Sequence, residues 1–285
     1  MLNVDEFESV FRAADKPRFA YAPPPLGRLL LLADLEGDAL AGWVEACRRL
    51  LAPGTDPDAE WEVRGEGSWR TVEGCLRLAG DGAFDAVVTY RNLHSDAWKW
   101  SYSLGVYLNA LTRGTELPVV VTPNPRAYPS MEWQHSRTDS VMAINDSLTG
   151  DDGLVSWAAK LTRPGGRLHL THMEHDAIFE RYMGAIAKVP EIDTETARET
   201  LLEQLLREPR EWIATASEVL AGAGAELEVV PHVLQGHRVA DYRAIIEEQE
   251  VDLVVFPTLE EDRIALHGVA YSLAVELTQT PLLMV

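Results

Sequence analysis

The sequence predicts an α/β protein made of two tandem, doubly wound domains, each a parallel sheet with helices on both faces and the first abbreviated. Three observations carry that prediction. Strand and helix patterns alternate along almost the whole chain, which favours parallel strands joined by right-handed crossovers. Short all-apolar runs such as Leu29-Leu30-Leu31-Leu32-Ala33 suit strands covered on both faces. The segment from Val251 to Val285 is an approximate copy of Phe84 to Thr122. Asp85-Ala86-Val87-Val88 answers Asp252-Leu253-Val254-Val255, and Gly105 and Pro118 answer Gly268 and Pro281, thirteen residues apart in each copy. A period this long points to a duplicated domain rather than a solenoid.

Residues 1–27 read as an N-terminal extension, with an acidic amphipathic stretch from Val4 to Ala14 followed by Pro23-Pro24-Pro25, a stiff tether into the first strand. The first domain, 28–122, takes strands at Leu29–Ala33, Trp61–Val63, Ala86–Thr89 and Val119–Val121, with helices at Ala39–Leu51, Trp69–Ala79 and Leu104–Leu111. Residues 123–138, with Pro123, Pro125 and Pro129 and no periodicity, form the linker. The second domain, 139–285, takes strands at Ser140–Ile144, Arg167–His172, Leu227–Val233, Asp252–Phe256 and Leu282–Val285. Helices fall at Leu154–Leu161, Thr194–Ala221, Val239–Glu248 and Val269–Leu277, with Pro209 expected to break or kink the long one. Matching aspartates are 51 residues apart in the first copy (Asp34 to Asp85) and 106 in the second (Asp146 to Asp252). The extra 55 residues amount to one more strand-helix unit and a long loop, so four strands are expected in the first copy and five in the second.

Composition is that of a globular protein, 46% hydrophobic and 25% charged. No apolar run approaches the roughly 20 residues needed to span a bilayer, and the N-terminus lacks the basic start and apolar stretch of a signal peptide. A cytoplasmic protein is expected. The net charge of −20 argues against nucleic acid or an anionic membrane as partner. It is uneven: residues 1–138 hold 14 basic and 19 acidic side chains, net −5, which leaves −15 for the rest. Cys47 and Cys75 fall in apolar-patterned helices and outside any metal-ligand spacing, which predicts buried free thiols.

From Gly224 onward the order of motifs is a strand (Val229–Val233), Gly236, a helix (Ala240–Glu248), Asp252 with an apolar strand, Gly268, and a strand led by Pro281. Earlier come Asn145-Asp146-Ser147 and Leu168-His169-Leu170-Thr171-His172. In this order the chain resembles the universal stress protein family in tandem form, well over 139–285 and weakly over 28–122. The resemblance implies a Rossmann-like, adenine nucleotide alpha-hydrolase-like fold with strand order 3-2-1-4-5. It also implies a ligand crevice at the carboxyl ends of strands one and four, where the order reverses. Many members bind ATP there through a loop of spaced glycines followed by a Ser or Thr, whose N–H groups and hydroxyl surround the phosphates.

The sequence departs from that pattern in both copies. Pro257 stands where the first glycine belongs, Glu260 replaces the second, Gly268 survives two residues early, and Val269 replaces the hydroxyl. Glu260-Glu261-Asp262 would set three carboxylates beside phosphate oxygens. In the first copy Tyr90 and Leu93 replace glycines and Val106 the hydroxyl, and the loop from Arg91 to Ser103 is rich in aromatics, including Trp98, Trp100 and Tyr102. That loop is expected to cover its own crevice or the other copy. Asp146, Pro257, Thr258, Gly268 and Val269 would thus line a degenerate nucleotide crevice, with no cofactor and no ATP expected. Asp34 and Asp146 are expected to cap the following helix or loop.

His169, His172, Glu174 and His175 form the one metal-like cluster, in which His172 and His175 beyond the strand could join Asp146 in an N/N/O zinc site. No GxSxG elbow accompanies Ser147. His232 reads as a solvated or packed side chain. The apolar last strand, Leu282 to Val285, needs cover, as does its counterpart Val119–Val121. The two are expected to pair antiparallel, making one chain an internal pseudo-dimer. These features together predict a non-enzymatic binding or regulatory scaffold whose partner is a protein or a small molecule. The competing prediction is a small-ligand-binding or metal-dependent enzyme on the same fold.

Overall fold

A computed structural model describes residues 18–100, 103–129, 137–145, 148–190, 192–236, 239–258 and 269–285. The expected amphipathic stretch from Val4 to Ala14 lies outside them. Among the described residues nine strands form a single sheet: β1 (Arg28–Leu32), β2 (Glu60–Arg64), β3 (Ala86–Tyr90), β4 (Val119–Thr122), β5 (Ser140–Ile144), β6 (Gly166–His175), β7 (Leu227–Gly236), β8 (Leu253–Phe256) and β9 (Leu282–Met284). Their order is β2-β1-β3-β4-β9-β8-β5-β6-β7, and every neighbouring pair is parallel except β4 with β9. The last five strands therefore run 3-2-1-4-5 counted within their own half, and the first four repeat the order with the outer strand missing.

The helices are α1 (Gly37–Leu51), α2 (Val72–Asp81), α3 (Val106–Gly114), α4 (Asp152–Leu161), α5 (Asp176–Ile186), α6 (Thr194–Gly222), α7 (Val239–Glu248) and α8 (Val269–Glu276), with a 3-10 turn at Asp96–Lys99. α1 buries Trp43, Val44, Ala46, Cys47, Leu50 and Leu51, the i, i+3, i+4, i+7 stripe of a helix laid on a sheet. Cys47 and Cys75 are both buried free thiols. Burial pushes both thiols up, Cys75 to about 12. No described helix is long and apolar enough to cross a membrane.

Two expectations need correction. α6 is one continuous helix of 29 residues with Pro209 inside it. Pro209 is buried along with Leu206, Trp212, Ile213 and Ala216, so packing against the sheet holds together a segment that propensity alone would interrupt. The second difference is α5, which follows β6 directly and accounts for part of the 55-residue excess. Its start is marked by His175, whose Nδ1 accepts the Ala177 N–H at 3.1 Å, an N-cap of a type absent from the usual Ser, Thr, Asp and Asn signals.

The repeated residues keep the same duties in both halves. Asp85 Oδ2 accepts the N–H groups of Gly27 (2.7 Å) and Arg28 (2.8 Å) at the start of β1, and Asp252 Oδ2 accepts that of Ser140 (3.0 Å) at the start of β5. The Pro118 carbonyl accepts from Val87 N–H at 2.9 Å, and Pro281 from Val254 N–H at 3.1 Å. At the junction Val119 faces Met284, Val120 faces Leu283 and Val121 faces Leu282, all buried. Antiparallel pairing lets two edge strands satisfy each other and merges two sheets into one.

The proline tether does more than lead into β1: it docks on the far half. Phe19 is buried with its ring edge-on to Trp212 at 5.7 Å, and the Pro24 carbonyl accepts from Lys160 Nζ at 2.7 Å. Lys160 also meets Asp56 at 3.0 Å, tying α4 to the loop before β2.

Candidate functional site

In an open parallel sheet the natural crevice lies where consecutive connections leave in opposite directions, here beyond the carboxyl ends of β1 and β3 in the first half and of β5 and β8 in the second. The first crevice is occupied by the protein's own side chains. Asp34, just past β1, is buried and its two oxygens are shared among three donors. Tyr90 O–H donates to Oδ1, while the His94 N–H (2.8 Å) and Arg126 Nη1 (2.7 Å) donate to Oδ2. Arg126 Nη2 also reaches the Asp34 carbonyl at 2.6 Å, and the Asp34 N–H donates to Tyr90 Oη at 3.0 Å. Asp34 therefore holds the loop after β3, not the N-terminus of α1, whose capping residue is Glu36 without a side-chain cap.

The electrostatics follow from that geometry. Burial pushes the Asp34 carboxyl up, but the hydrogen bonds from Tyr90, Arg126 and His94 outweigh it and hold the group below its ordinary value. Burial first, and the neighbouring carboxylate second, push the Tyr90 phenol up. Tyr90 is wedged edge-on against Trp43 at 5.3 Å, and Trp43 Nε1–H donates to Thr122 Oγ1 at 2.9 Å. Next along the loop, His94 packs against Trp69 (4.8 Å) and Tyr107 (5.2 Å). Gly105, which opens α3 at φ +92°, lies so close to Asn92 that a Cβ there would sit 2.8 Å from the Asn92 Cα. The close approach that a glycine permits is used here by the chain itself, sealed by the Asn92 N–H on the Leu104 carbonyl at 3.0 Å.

A universal stress protein from Archaeoglobus fulgidus superposes with a TM-score of 0.52 over 90% of this chain and 95% of its own, at 13% identity. The fold is the universal stress protein fold. A chain of unknown function from Pseudomonas aeruginosa aligns at a TM-score of 0.47 and 11% identity over 91% of this chain and 92% of its own. Another from the same species, provisionally assigned to the universal stress proteins, aligns at 0.44 and 12% over 90% and 81%. No protein-family model matches the sequence, and no curated protein matches it.

In this universal stress protein fold the second crevice falls beyond β5 and β8. Of the residues expected to line it, Asp146 and Gly268 lie outside the described residues, as does the side chain of Val269, whose backbone begins α8. The carboxylates Glu260, Glu261 and Asp262 lie outside them as well. Pro257 follows β8 directly. The Thr258 N–H (2.6 Å) and hydroxyl (2.9 Å) both donate to the Val285 carbonyl.

The histidines are distributed differently from the expected zinc set. β6 runs unbroken in register with β7 through His175, so residues 172 and 175 face opposite sides of the sheet and cannot close on one ion. His172 Nε2 lies 3.8 Å from Glu174 Oε2, and His175 caps α5. Burial raises Glu174. Among the described residues no group of three or more metal-type side chains converges.

A different cluster escapes sequence reasoning. His169 Nε2 lies 3.0 Å from Ser140 Oγ, and His169 Nδ1 lies 2.9 Å from His232 Nε2. The Ser140 hydroxyl donates to the Gln249 carbonyl at 3.0 Å, which makes it the acceptor from His169. A run of serine, histidine and orienting group resembles a nucleophile with its base, but here the proton order is reversed and Ser140 and His169 are buried. The chain is a structural clasp across β5, β6 and β7. The period-two alternation of β6 and β7 puts both rings on one face; only the sheet register brings them together.

Proposed function

We propose that this chain is a universal-stress-like protein that acts in the cytoplasm as a non-enzymatic binding and regulatory scaffold in stress response, without ATP as a ligand. The observation that supports this reading is the Asp34–Tyr90–Arg126 network. It fills the position beyond β1 and β3 with a carboxylate already saturated by internal donors. A nucleotide entering there would have to displace Arg126 and leave the buried Asp34 carboxylate without its cationic partner, held only by Tyr90 and the His94 N–H, which is unfavourable by about 1–2 kcal/mol. The loop replacements Tyr90 and Val106 remove the backbone flexibility and the hydroxyl that phosphate binding uses. A metal-dependent enzyme centred on Asp146, His172, His175 and the 257–268 loop has less support, because β6 separates its two histidines.

Isothermal titration with Mg·ATP tests the reading. The expected result is no saturable heat up to about 1 mM nucleotide, corresponding to less than about 4 kcal/mol of binding. Stoichiometric binding in the micromolar range would overturn it.

A further inference from the structure

Residues 18–26 cross from one half of the molecule to the other without helix or strand of their own. The segment leads into β1 of the first half, yet the partners of Phe19, Ala22 and Pro24 lie on α4 and α6 of the second. Phe19 is 4% exposed and meets the Trp212 ring of α6 edge-on at 5.7 Å, with the Tyr21 ring 6.4 Å from its own. The Ala22 N–H donates to Ser156 Oγ at 3.2 Å, and the Pro24 carbonyl accepts from Lys160 Nζ at 2.7 Å. Ala20, Ala22, Pro23 and Pro25 are exposed.

Three features give this arm the character of a peptide on a receptor surface. First, Ser156 and Lys160 are four residues apart on one face of α4 and take a main-chain N–H and a main-chain carbonyl two residues apart. Main-chain groups are what any extended segment offers, and α4 keeps a serine at 1% exposure and a lysine side chain at 14% to meet them. Second, the selective contact is a single aromatic anchor, Phe19 on Trp212, followed by Pro23-Pro24-Pro25, whose stiff backbone loses little entropy on docking. An anchor ring for specificity and main-chain hydrogen bonds for affinity is the division of labour in peptide recognition. Third, the fit is incomplete. Trp212 Nε1 is buried without a hydrogen-bond partner among the described residues, although a buried indole N–H ordinarily finds one. A span held by one ring contact and two main-chain hydrogen bonds opens at low local free energy.

We propose that the α4/α6 surface beneath Phe19 to Pro24 is a docking site for an extended segment of a partner protein, with an aromatic anchor and prolines four to five residues beyond it. The chain's own arm fills the site as an autoinhibitory contact and leaves when the partner docks. The occupant is a partner rather than a second copy, because two chains of net charge −20 repel each other. This inference rests on the scaffold reading for the partner's being a protein. It uses neither crevice, so the titration with Mg·ATP and the experiment below fail independently.

The probe is a labelled peptide of residues 18–26, titrated by fluorescence anisotropy into full-length wild type and the full-length variants Phe19→Ala and Tyr21→Ala, each checked for native circular dichroism. Both variants should bind it saturably at one site per chain. Wild type, whose tethered arm competes at an effective concentration on the order of millimolar, should bind it at least tenfold more weakly. A peptide with Phe19→Ala, and one N-methylated at Ala22 and so unable to donate to Ser156, should each bind the variants several-fold more weakly. No saturable binding to either variant, equal affinity in wild type and both variants, or indifference to both peptide changes would overturn the proposal. Sedimentation should show wild type as a monomer; a dimer that Phe19→Ala abolishes would assign the surface to a second copy and overturn the partner.

Discussion

Arg126 closes on Asp34 from the far side of the crevice: its Nη1 lies 2.7 Å from Oδ2 and its Nη2 lies 2.6 Å from the Asp34 carbonyl, 92 residues away in sequence. One guanidinium thus satisfies the side chain and the backbone of a residue at the end of β1. The contact fastens the segment after β4 to the first strand, beyond the carboxyl ends of β1 and β3.

Arg126→Met should leave the buried carboxylate with Tyr90 and the His94 N–H alone. Arg126 is about one-third exposed, so the loss is expected at about 1–2 kcal/mol rather than the 3–5 of a fully buried pair. Asp34 is held below its ordinary value, so its contribution is complete above the unfolded-state value of about 3.9 and disappears as pH falls below it. Urea melts between pH 3 and 6 should show wild type losing its advantage over Arg126→Met only at the acid end.

The His169–His232 clasp should make stability pH-dependent in a different window. Burial first, and the neighbouring His232 and Arg167 next, lower His169 from 6.5 to about 4; burial also lowers His232, opposed by Glu248. The unfolded chain therefore binds more protons than the folded one between those values, so stability is full above about pH 6.5 and falls on acidification toward 4. The loss is on the order of 2 kcal/mol. In His169→Gln, melting temperature should vary less between pH 7 and 4.5. An equal slope in both proteins would show that the clasp does not titrate as described.

Leu283 faces Val120 in the antiparallel seam and is fully buried. Leu283→Ala is expected to cost about 2–4 kcal/mol. Because β4 and β9 are shared by one sheet, fluorescence and far-ultraviolet dichroism should report a single coincident transition, shifted together. Separate transitions for the two halves would mean the seam does not couple them.

Asp85 accepts two backbone N–H groups at the head of β1, and Asp252 accepts one at the head of β5. Replacement by Ala should destabilise by about 1–3 kcal/mol for Asp85 and less for Asp252. Asn, which keeps an acceptor oxygen, should recover part of the loss at each position. Thermal melts of the four variants give the ordering.

The strands were legible because their side chains alternate or run apolar without interruption, a local signal that survives in Leu29–Leu32, Val141–Ile144 and Leu253–Phe256. α5 was not, since its first turn is capped by a histidine and its exposed Ile178 and Tyr182 blur the amphipathic pattern. β6 extended past His172 because β7 pairs with it residue for residue to Gly236, a non-local preference that no window of sequence contains. The departures from the phosphate-binding pattern were readable position by position. Arg126 as the crevice plug was not: it lies in a proline-rich segment without periodicity, and its partner is 92 residues distant.

The sequence by itself determined the duplicated α/β plan, because Asp85 and Asp252 and Pro118 and Pro281 each perform a short-range backbone duty that leaves a mark on local spacing. It also determined that both copies lack the hydroxyl after Gly105 and Gly268. Only the tertiary structure decided what fills the space between distant segments: Arg126 on Asp34, Phe19 against Trp212, and His169 against His232. Side-chain hydrogen bonds depend on distances across the fold, and those are set by strand register and by the joining of β4 to β9, not by any residue's neighbours in the chain.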